Sequence, residues 1–320
     1  MTKEIYISDD MIQKIQKFDS IIFDCDGVLV DIRNSYDYAI NKTISAIMNE
    51  LFDDKISDVV NSKILYGLKA SGGFNDEVAV VYAVVMTLVA SKKSNLKFKK
   101  LIIDIINNAN ESGINSIDNY FINQNIDLKE IKLKLDYENS RKVSYIHRIF
   151  NQLFYGPKLY EEIFKEKSQF SEKPLIDLDN IVLDDNLMSK LKTRFGNKIS
   201  TVTGRGNFAF SYSMKNFLNN FDIKNSVFLE DRSLNLAKPN PKSLIESISG
   251  INSKCSLYIG DSMEDLMMVE KCKEHGYDVS FCGIYGSSDE PELKYELFQK
   301  NKASFILESI QELPKALNLV

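Results

Sequence analysis

The strand-like segments of this chain are separated by a long helical stretch, and this separation constrains the fold more than any other feature. The apolar run 21–23 (Ile-Ile-Phe) has the length and composition of a buried strand. Similar runs return only after residue 197, at 198–203, 227–230, 256–259, 279–284 and 303–307. Segments with helical spacing lie between them, including 241–249 and 265–274. The alternation predicts an α/β domain with a doubly wound parallel sheet and helices on both faces.

The intervening stretch has helical periodicity and few strand signals. Amphipathic or apolar helical patterns occupy 36–52, 74–90, 98–110 and 145–165, and glycines such as Gly113 separate them. We therefore predict an α/β core formed by residues 1–32 and 186–320, and an inserted all-helical cap domain formed by residues 33–185. The apolar run 78–90 is too short to cross a bilayer as a helix, so it predicts a buried helix of the cap.

Composition narrows the functional class. The 320 residues are 44% hydrophobic and 27% charged, which is typical of a globular protein. The formal net charge of −5 provides no overall attraction for nucleic acid or for an anionic membrane, and neither partner is expected. The first residues do not resemble a secretory signal, and the four cysteines have no CxxC spacing. We expect a cytoplasmic protein, whose oligomeric state the sequence does not set.

Polar residues follow four of the predicted strands. Asp24 and Asp26 follow the first strand, and Thr203, Gly204 and Arg205 follow the second. Lys238 lies in a loop after the third strand, and Asp261 and Asp265 follow the fourth. A doubly wound sheet would bring these segments to one edge. The resulting set of carboxylates, a hydroxyl and an ammonium suits phosphoryl transfer through an aspartyl-phosphate.

The chemistry of that reaction explains each residue type. A carboxylate that attacks a phosphate dianion needs a divalent cation to reduce charge repulsion, and Mg²⁺ prefers carboxylate and carbonyl oxygens. A lysine and a hydroxyl can hold the remaining phosphate oxygens, and Gly204 would keep the backbone beside Thr203 open for a phosphate oxygen. A second acid must protonate the leaving oxygen and later activate water, and Asp26 is suitably placed in the sequence for this role.

The same residues carry a resemblance to a known family. DCDGVLVD (24–31), TVTGR (201–205), KPNP (238–241) and GDSMED (260–265) resemble, in order, the four motifs of the haloacid dehalogenase-like phosphatase superfamily. The position of the insertion resembles the helical-cap branch. DGVLVDIRNSY and SGGFNDEVAVVYA (71–83) are similar to an uncharacterised phosphatase-like subgroup.

The resemblance implies a role for each matched residue. Asp24 would be the nucleophile and Asp26 the acid/base, with Thr203 and Lys238 as phosphate ligands. Asp24, the Asp26 carbonyl and Asp261 would bind Mg²⁺. Two residues keep a second interpretation: Asp265 either supports the metal site or is simply a favourable acid near a helix N-terminus, and Arg205 is either a site residue or an exposed structural arginine.

Substrate recognition is expected from the cap. Asn75 is predicted to cap a helix, and Phe74, Asn75 and Arg33 are the candidate contacts with the leaving group of a small phosphorylated metabolite. A phosphomutase would use the same pair of acids, and a catalytically silent binding protein could share the fold. Dehalogenation is disfavoured because that branch resembles enzymes without the second aspartate, which Asp26 supplies here.

Overall fold

The computed structural model describes residues 5–74, 76–139 and 143–319. The chain divides into two compact units, the first formed by Met1–Ile32 with Asp179–Val320 and the second by Arg33–Leu178. The first boundary between the units, 32/33, coincides with the predicted one. The second lies at 178/179 and not at the predicted 185/186, because the strand Asn180–Ile181 pairs with Val30–Asp31 and therefore belongs to the first unit.

All the strands of the described residues lie in the first unit. They are, in chain order, β1 (Tyr6–Ile7), β2 (Ser20–Phe23), β3 (Val30–Asp31), β4 (Asn180–Ile181), β5 (Ile199–Thr203), β6 (Val227–Phe228), β7 (Ser256–Gly260), β8 (Val279–Ile284) and β9 (Phe305–Leu307). Strands β3 and β4 form a separate antiparallel pair. The others form one sheet, in the order β1-β9-β8-β7-β2-β5-β6.

The sheet is parallel except for the edge strand β1, which pairs antiparallel with β9. Strands β2, β5, β7 and β8 are buried along their whole length, as is typical of parallel strands covered on both faces. Strand β2 lies between β7 and β5, and Phe23 at its end is in register with Ile259 and Thr201. The chain builds outward from β2 in both directions, so the order of strands reverses there. In doubly wound sheets this switch point is where ligands bind.

The helices complete the fold. In chain order they are α1 (Asp9–Lys14), α2 (Tyr36–Phe52), α3 (Ser62–Lys69), α4 (Glu77–Ser94), α5 (Phe98–Asn108), α6 (Ile114–Asn123), α7 (Lys129–Leu135), α8 (Tyr145–Phe164), α9 (Asp185–Phe195), α10 (Asn207–Ser213), α11 (Lys242–Gly250), α12 (Met263–Glu274), α13 (Pro291–Lys300) and α14 (Leu313–Ala316). Helices α9 to α13 connect successive strands of the parallel sheet.

Helices α2 to α8 belong to the second unit, whose described residues contain no strand. Helix α4 packs against α2 and α8, and its residues 78–90 are all buried, as the apolar run predicts. Helix α8 is interrupted at Gly156, whose φ of 64° is left-handed, and Pro157 follows it. A proline lacks the N–H that would continue the hydrogen-bond ladder, so the interruption has a local cause. Among the described helices, none is both long and apolar enough to cross a bilayer.

Candidate active site

Asp24 directly follows β2, a central strand, at the carboxyl edge of the sheet. Its side chain is buried there. Its backbone N–H donates to the Ile259 carbonyl at 2.8 Å, which fixes the residue against β7. Its Oδ1 accepts from the Cys25 N–H at 2.8 Å, and its side chain is only 4% exposed. Cys25 is fully buried and reduced. A carboxylate this deeply buried needs a cation nearby to remain ionised.

Lys238 provides one such cation. Its ammonium lies 3.0 Å from Oδ2 of Asp24 and 2.7 Å from Oδ1 of Asp265, and the lysine side chain is itself buried. Burial alone would lower the pKa of Lys238, but the two carboxylates more than offset it, and the pKa lies above its ordinary value. The lysine is therefore a permanently charged bridge between the two acids.

Asp265 is held by donors on both of its carboxylate oxygens. Besides Lys238, its Oδ1 is 2.8 Å from the Tyr258 hydroxyl, and its Oδ2 accepts from the Ser262 hydroxyl at 2.7 Å. The Ser262 side chain in turn accepts from the Asp265 N–H, which makes a capping box at the start of α12. Burial raises the pKa of Asp265, but Lys238 and these hydrogen bonds outweigh it and lower the pKa below its ordinary value. Asp265 is thus a fixed anion that orients Lys238 and the start of α12.

Asp261 lies beyond the end of β7 and faces two groups that sequence reasoning did not connect with it. The Lys294 ammonium, from α13, lies 2.6 Å from Oδ2 of Asp261. Gly27 packs against the same carboxylate, since a Cβ on Gly27 would be 2.2 Å from Oδ2. Gly27 also has a left-handed φ of 73°, so both its backbone and its surroundings require glycine.

The carboxylates of Asp24, Asp261 and Asp265 form a group whose oxygens lie within 4.8 Å of one another. The Asp26 side chain is not in this group, and its predicted metal contact is through its carbonyl. Burial raises the pKa of Asp24 well above its ordinary value; Lys238 opposes this, and the charges of Asp265 and Asp261 add to it. Such a cluster of hard oxygen ligands could hold a divalent cation.

Charge balance around this group agrees with a divalent cation. Within the group, ion pairs join three carboxylates to two ammonium groups, namely Asp24 and Asp265 to Lys238, and Asp261 to Lys294. Carboxylates therefore outnumber the basic side chains that pair with them. The donor set fits the predicted metal in ligand type.

Arg205 is buried and ion-paired, which excludes its interpretation as an exposed structural arginine. Its side chain is 0% exposed; Nε donates to Oδ1 of Asp26 at 2.8 Å, and Nη1 donates to Oδ2 of Asp179 at 2.6 Å. Nη1 also donates to the Ser213 hydroxyl at 2.8 Å. Arg205 is thus no exposed structural arginine but a direct neighbour of the predicted acid/base. Asp179 and Ser213 were missed from the sequence because neither lies in a motif.

Thr203 ends β5 with its side chain buried toward the same edge. Its Oγ1 accepts from the Arg205 N–H at 3.1 Å, so its own proton can be donated to another oxygen. Gly204 is exposed, and a Cβ placed on it would meet no atom within 4 Å. The space beside Gly204 is therefore open, as its predicted role beside a phosphate requires.

Comparison with known proteins decides the fold. No family model matches the chain. No curated protein matches it either. A comparison of structures finds the phosphatase Tt82 from Thermococcus thioreducens, with a TM-score of 0.57 and 22% identity, covering 87% of this chain and 98% of that one. The chain shares the fold of that phosphatase structure. A haloacid dehalogenase-like hydrolase from Bacteroides fragilis is matched at a TM-score of 0.49 and 15% identity, covering 92% of this chain and 99% of that one.

The structure confirms the doubly wound sheet and the inserted helical unit that the pattern of strands and helices predicted. The candidate recognition residues belong to the helical unit. Phe74 is completely buried, and Arg33 is exposed at its start. Asn75 lies outside the described residues. The N-cap of α4 is Asp76, which accepts from the Val78 N–H at 2.9 Å. A role for Phe74, Asn75 and Arg33 in substrate recognition stays a prediction.

Proposed function

We propose that this protein is a magnesium-dependent phosphohydrolase that cleaves a small phosphomonoester, with Asp24 as the nucleophile. The observation that carries the proposal is the environment of Asp24. It is a buried carboxylate at the switch point of a doubly wound sheet, contacted by the Lys238 ammonium and grouped with Asp261. The name of the similar structure, a phosphatase, agrees with this chemistry.

The proposed reaction has two halves that use the same pair of acids. In the first, a carboxylate oxygen of Asp24 attacks phosphorus, the bond to the leaving oxygen breaks, and Asp26 gives that oxygen its proton. In the second, Asp26 takes a proton from water, the water oxygen attacks phosphorus, and the bond to Asp24 breaks to release inorganic phosphate. Lys238 and the Thr203 hydroxyl bind the phosphate oxygens as charge develops on them.

The proposed cofactor is Mg²⁺, which the carboxylates of Asp24 and Asp261 and the carbonyl of Asp26 would hold. When bound, it reduces the repulsion between the nucleophilic carboxylate and the phosphate dianion. Asp265 is assigned a supporting role, because its oxygens already accept from Lys238, Tyr258 and Ser262.

The proposed substrate is a small phosphorylated metabolite, not a nucleic acid or a membrane lipid. The net charge of −5 and the excess of carboxylates at the site disfavour polyanions. A small dianion needs only the local positive charge of Lys238 and the bound cation.

Phosphate release from a panel of phosphorylated metabolites with Mg²⁺ tests the proposal. We expect the wild type to release phosphate from at least one sugar or amino-alcohol phosphate, and Asp24→Asn to lower the rate by at least about 10³-fold. The exposed Asp185→Asn, on α9, is the matched control and should leave the rate unchanged. An Asp24→Asn protein as active as the wild type would overturn the mechanism, and an isomeric sugar phosphate as product would identify a mutase.

A further inference from the structure

Arg205 is a buried arginine that contacts two carboxylates, and its surroundings are more elaborate than a single ion pair. Burying a guanidinium is costly unless its N–H groups are paired. One edge, through Nε and Nη2, lies 2.8 and 2.6 Å from Oδ1 of Asp26. The other edge, through Nη1, contacts Asp179 and Ser213. The planar guanidinium therefore connects Asp26 to two further side chains.

The supports of Arg205 are themselves held in place. The Ser213 hydroxyl, at the end of α10, donates to Oδ2 of Asp179 at 2.8 Å. The hydroxyl, this carboxylate oxygen and Nη1 of Arg205 therefore contact one another in a closed triangle. Asp179 is 4% exposed and directly precedes β4, which pairs with β3. At its other end, the Arg205 N–H donates to Thr203. The arginine is thus held at its backbone N–H and at Nη1, and Asp26 contacts its other guanidinium nitrogens, Nε and Nη2.

We propose that Arg205 is a positioning residue for proton transfer by Asp26, and that Asp179 and Ser213 hold it in the orientation this requires. The inference rests on the proposed function, since it names a residue that serves the acid/base of that reaction. Both contacts involve Oδ1 of Asp26.

The physical argument concerns the freedom of Asp26. Its side chain is 20% exposed, in contrast to the buried Asp24, and the residue forms an isolated bridge with Val30 at the start of a turn. An aspartate side chain has several staggered rotamers. A guanidinium presents its N–H groups in a fixed plane, which an ammonium does not, and here Nε and Nη2 both face Oδ1 of Asp26. A displacement of about 1 Å of a catalytic group can cost on the order of 100-fold in rate. Arg205 therefore contributes to catalysis without contacting the substrate.

The dependence of rate on the leaving group separates this role from a structural one. An alkyl phosphate needs its leaving oxygen protonated, whereas 2,4-dinitrophenolate leaves without a proton. The value of kcat/KM reports the steps up to release of the leaving group. For Arg205→Gln we expect kcat/KM to fall about 100-fold on the best alkyl phosphate, but less than about 5-fold on 2,4-dinitrophenyl phosphate.

Two further variants test the contacts that hold Arg205, and they keep the inference testable if Arg205→Gln does not fold. Arg205→Lys keeps the charge and loses the planar contact, and Asp179→Asn keeps the shape and loses a charge. We expect both to lower kcat/KM on the alkyl ester about 10-fold, again with little change on the dinitrophenyl ester. The matched control is Arg194→Gln, which removes a guanidinium bonded to the carbonyls of Ile15, Gln16 and Phe18. Arg194→Gln should change kcat/KM by the same factor on the alkyl ester and on the dinitrophenyl ester, or should change neither.

The outcomes distinguish this inference from the proposed function. Equal losses on both esters in the Arg205 and Asp179 variants, with Asp24→Asn inactive on both, would overturn the positioning role and leave the phosphohydrolase intact. A wild type that hydrolyses neither ester, or an Asp24→Asn variant that hydrolyses both, would overturn the proposed function and the inference with it.

Discussion

The ammonium of Lys294 lies 2.6 Å from Oδ2 of Asp261, the acid beyond the end of β7 that belongs to the carboxylate group around Asp24. Lys294 comes from α13, which connects β8 to β9, so it reaches the site from an element outside the four motifs. A cation that binds Asp261 must do so beside this positive charge. Lys294 therefore competes with a divalent cation for the carboxylate.

Lys294→Gln should accordingly bind Mg²⁺ more tightly. Loss of the ammonium removes a repulsion from the cation and frees an oxygen of Asp261, and we expect about tenfold tighter binding, which is about 1.4 kcal/mol. Titration calorimetry on the wild type and the variant measures this directly. Lys294→Arg keeps the charge and should bind as the wild type does. Weaker binding by Lys294→Gln would show that Lys294 orients Asp261 for the metal.

Gly27→Ala should disable the site through a direct clash. The new Cβ would lie 2.2 Å from Oδ2 and 2.5 Å from Cγ of Asp261, so the carboxylate must move. We expect phosphate release to fall about 100-fold or more and Mg²⁺ binding to weaken. Gly196→Ala is the matched control, because Gly196 also has a left-handed φ, of 58°, but a Cβ there would meet nothing within 4 Å. The control should lose about 2 kcal/mol of stability, from backbone strain, and should keep its Mg²⁺ binding.

Asp24→Asn should stabilise the protein when divalent cations are removed. Burial raises the pKa of Asp24 well above its ordinary value, so its ionised form is penalised only in the folded state. The wild type therefore loses stability as pH rises from about 4 toward the raised pKa, and the amide does not. With a chelator at neutral pH we expect the Asp24→Asn variant to melt about 2 °C higher than the wild type, which thermal unfolding measures. The difference should vanish below about pH 4, where the carboxyl is protonated in both states. Melting below the wild type at neutral pH would contradict the prediction.

Asp19→Asn should destabilise the protein at neutral pH but not in acid. Asp19 directly precedes β2; its carboxylate accepts from the Lys198 ammonium, the Ser253 hydroxyl and the Cys255 N–H, which ties β2 to the start of β7. Burial acts to raise the pKa of Asp19, but these contacts outweigh it and hold the pKa below its ordinary value. The stabilisation is thus complete above about pH 4 and is lost as pH falls through the lowered pKa.

We expect Asp19→Asn to lower the free energy of unfolding by about 2 kcal/mol at pH 7, because hydrogen bonds to a charged group are lost. Denaturant unfolding between pH 7 and pH 3 measures how this difference shrinks. The exposed Asp185→Asn should show no such dependence. A difference that stays constant down to pH 3 would mean that the charge of Asp19 contributes nothing.

The sequence predicted the strands of the parallel sheet, including the short β6 and β9, and missed β1, β3 and β4. Runs rich in apolar and β-branched residues mark β5, β7 and β8, because parallel strands are covered on both faces. The two-residue strands β1, β3 and β4 carry no periodic signal, and their pairing is set by chain connections distant in sequence. The run predicted at 227–230 ends as a strand at Phe228, because the Glu230 N–H turns to bond the Gly204 carbonyl at 3.1 Å.

The sequence also predicted which side chains meet, but not how they are paired. Order along the chain places Asp24, Lys238 and Asp261 at one edge, and the structure brings them together there. Nothing in the sequence connects Lys238 to Asp265, or Arg205 to Asp179, as specific ion pairs. Such pairings depend on the exact placement of loops that follow the strands.

Fold class and the position of the site were determined by the sequence alone, for a physical reason. Parallel strands end at a common edge, so the residues that follow them converge whatever the loops do. The tertiary structure alone decided the electrostatic roles of Lys294, Asp179 and Ser213. These residues lie outside every motif, and a side chain's charge partner is set by packing between segments far apart in the chain, such as Arg205 and Asp26, which are 179 positions apart. The order of the strands is enough to bring the residues that follow them to one edge. Which of these residues form ion pairs depends on distances that only the folded chain defines.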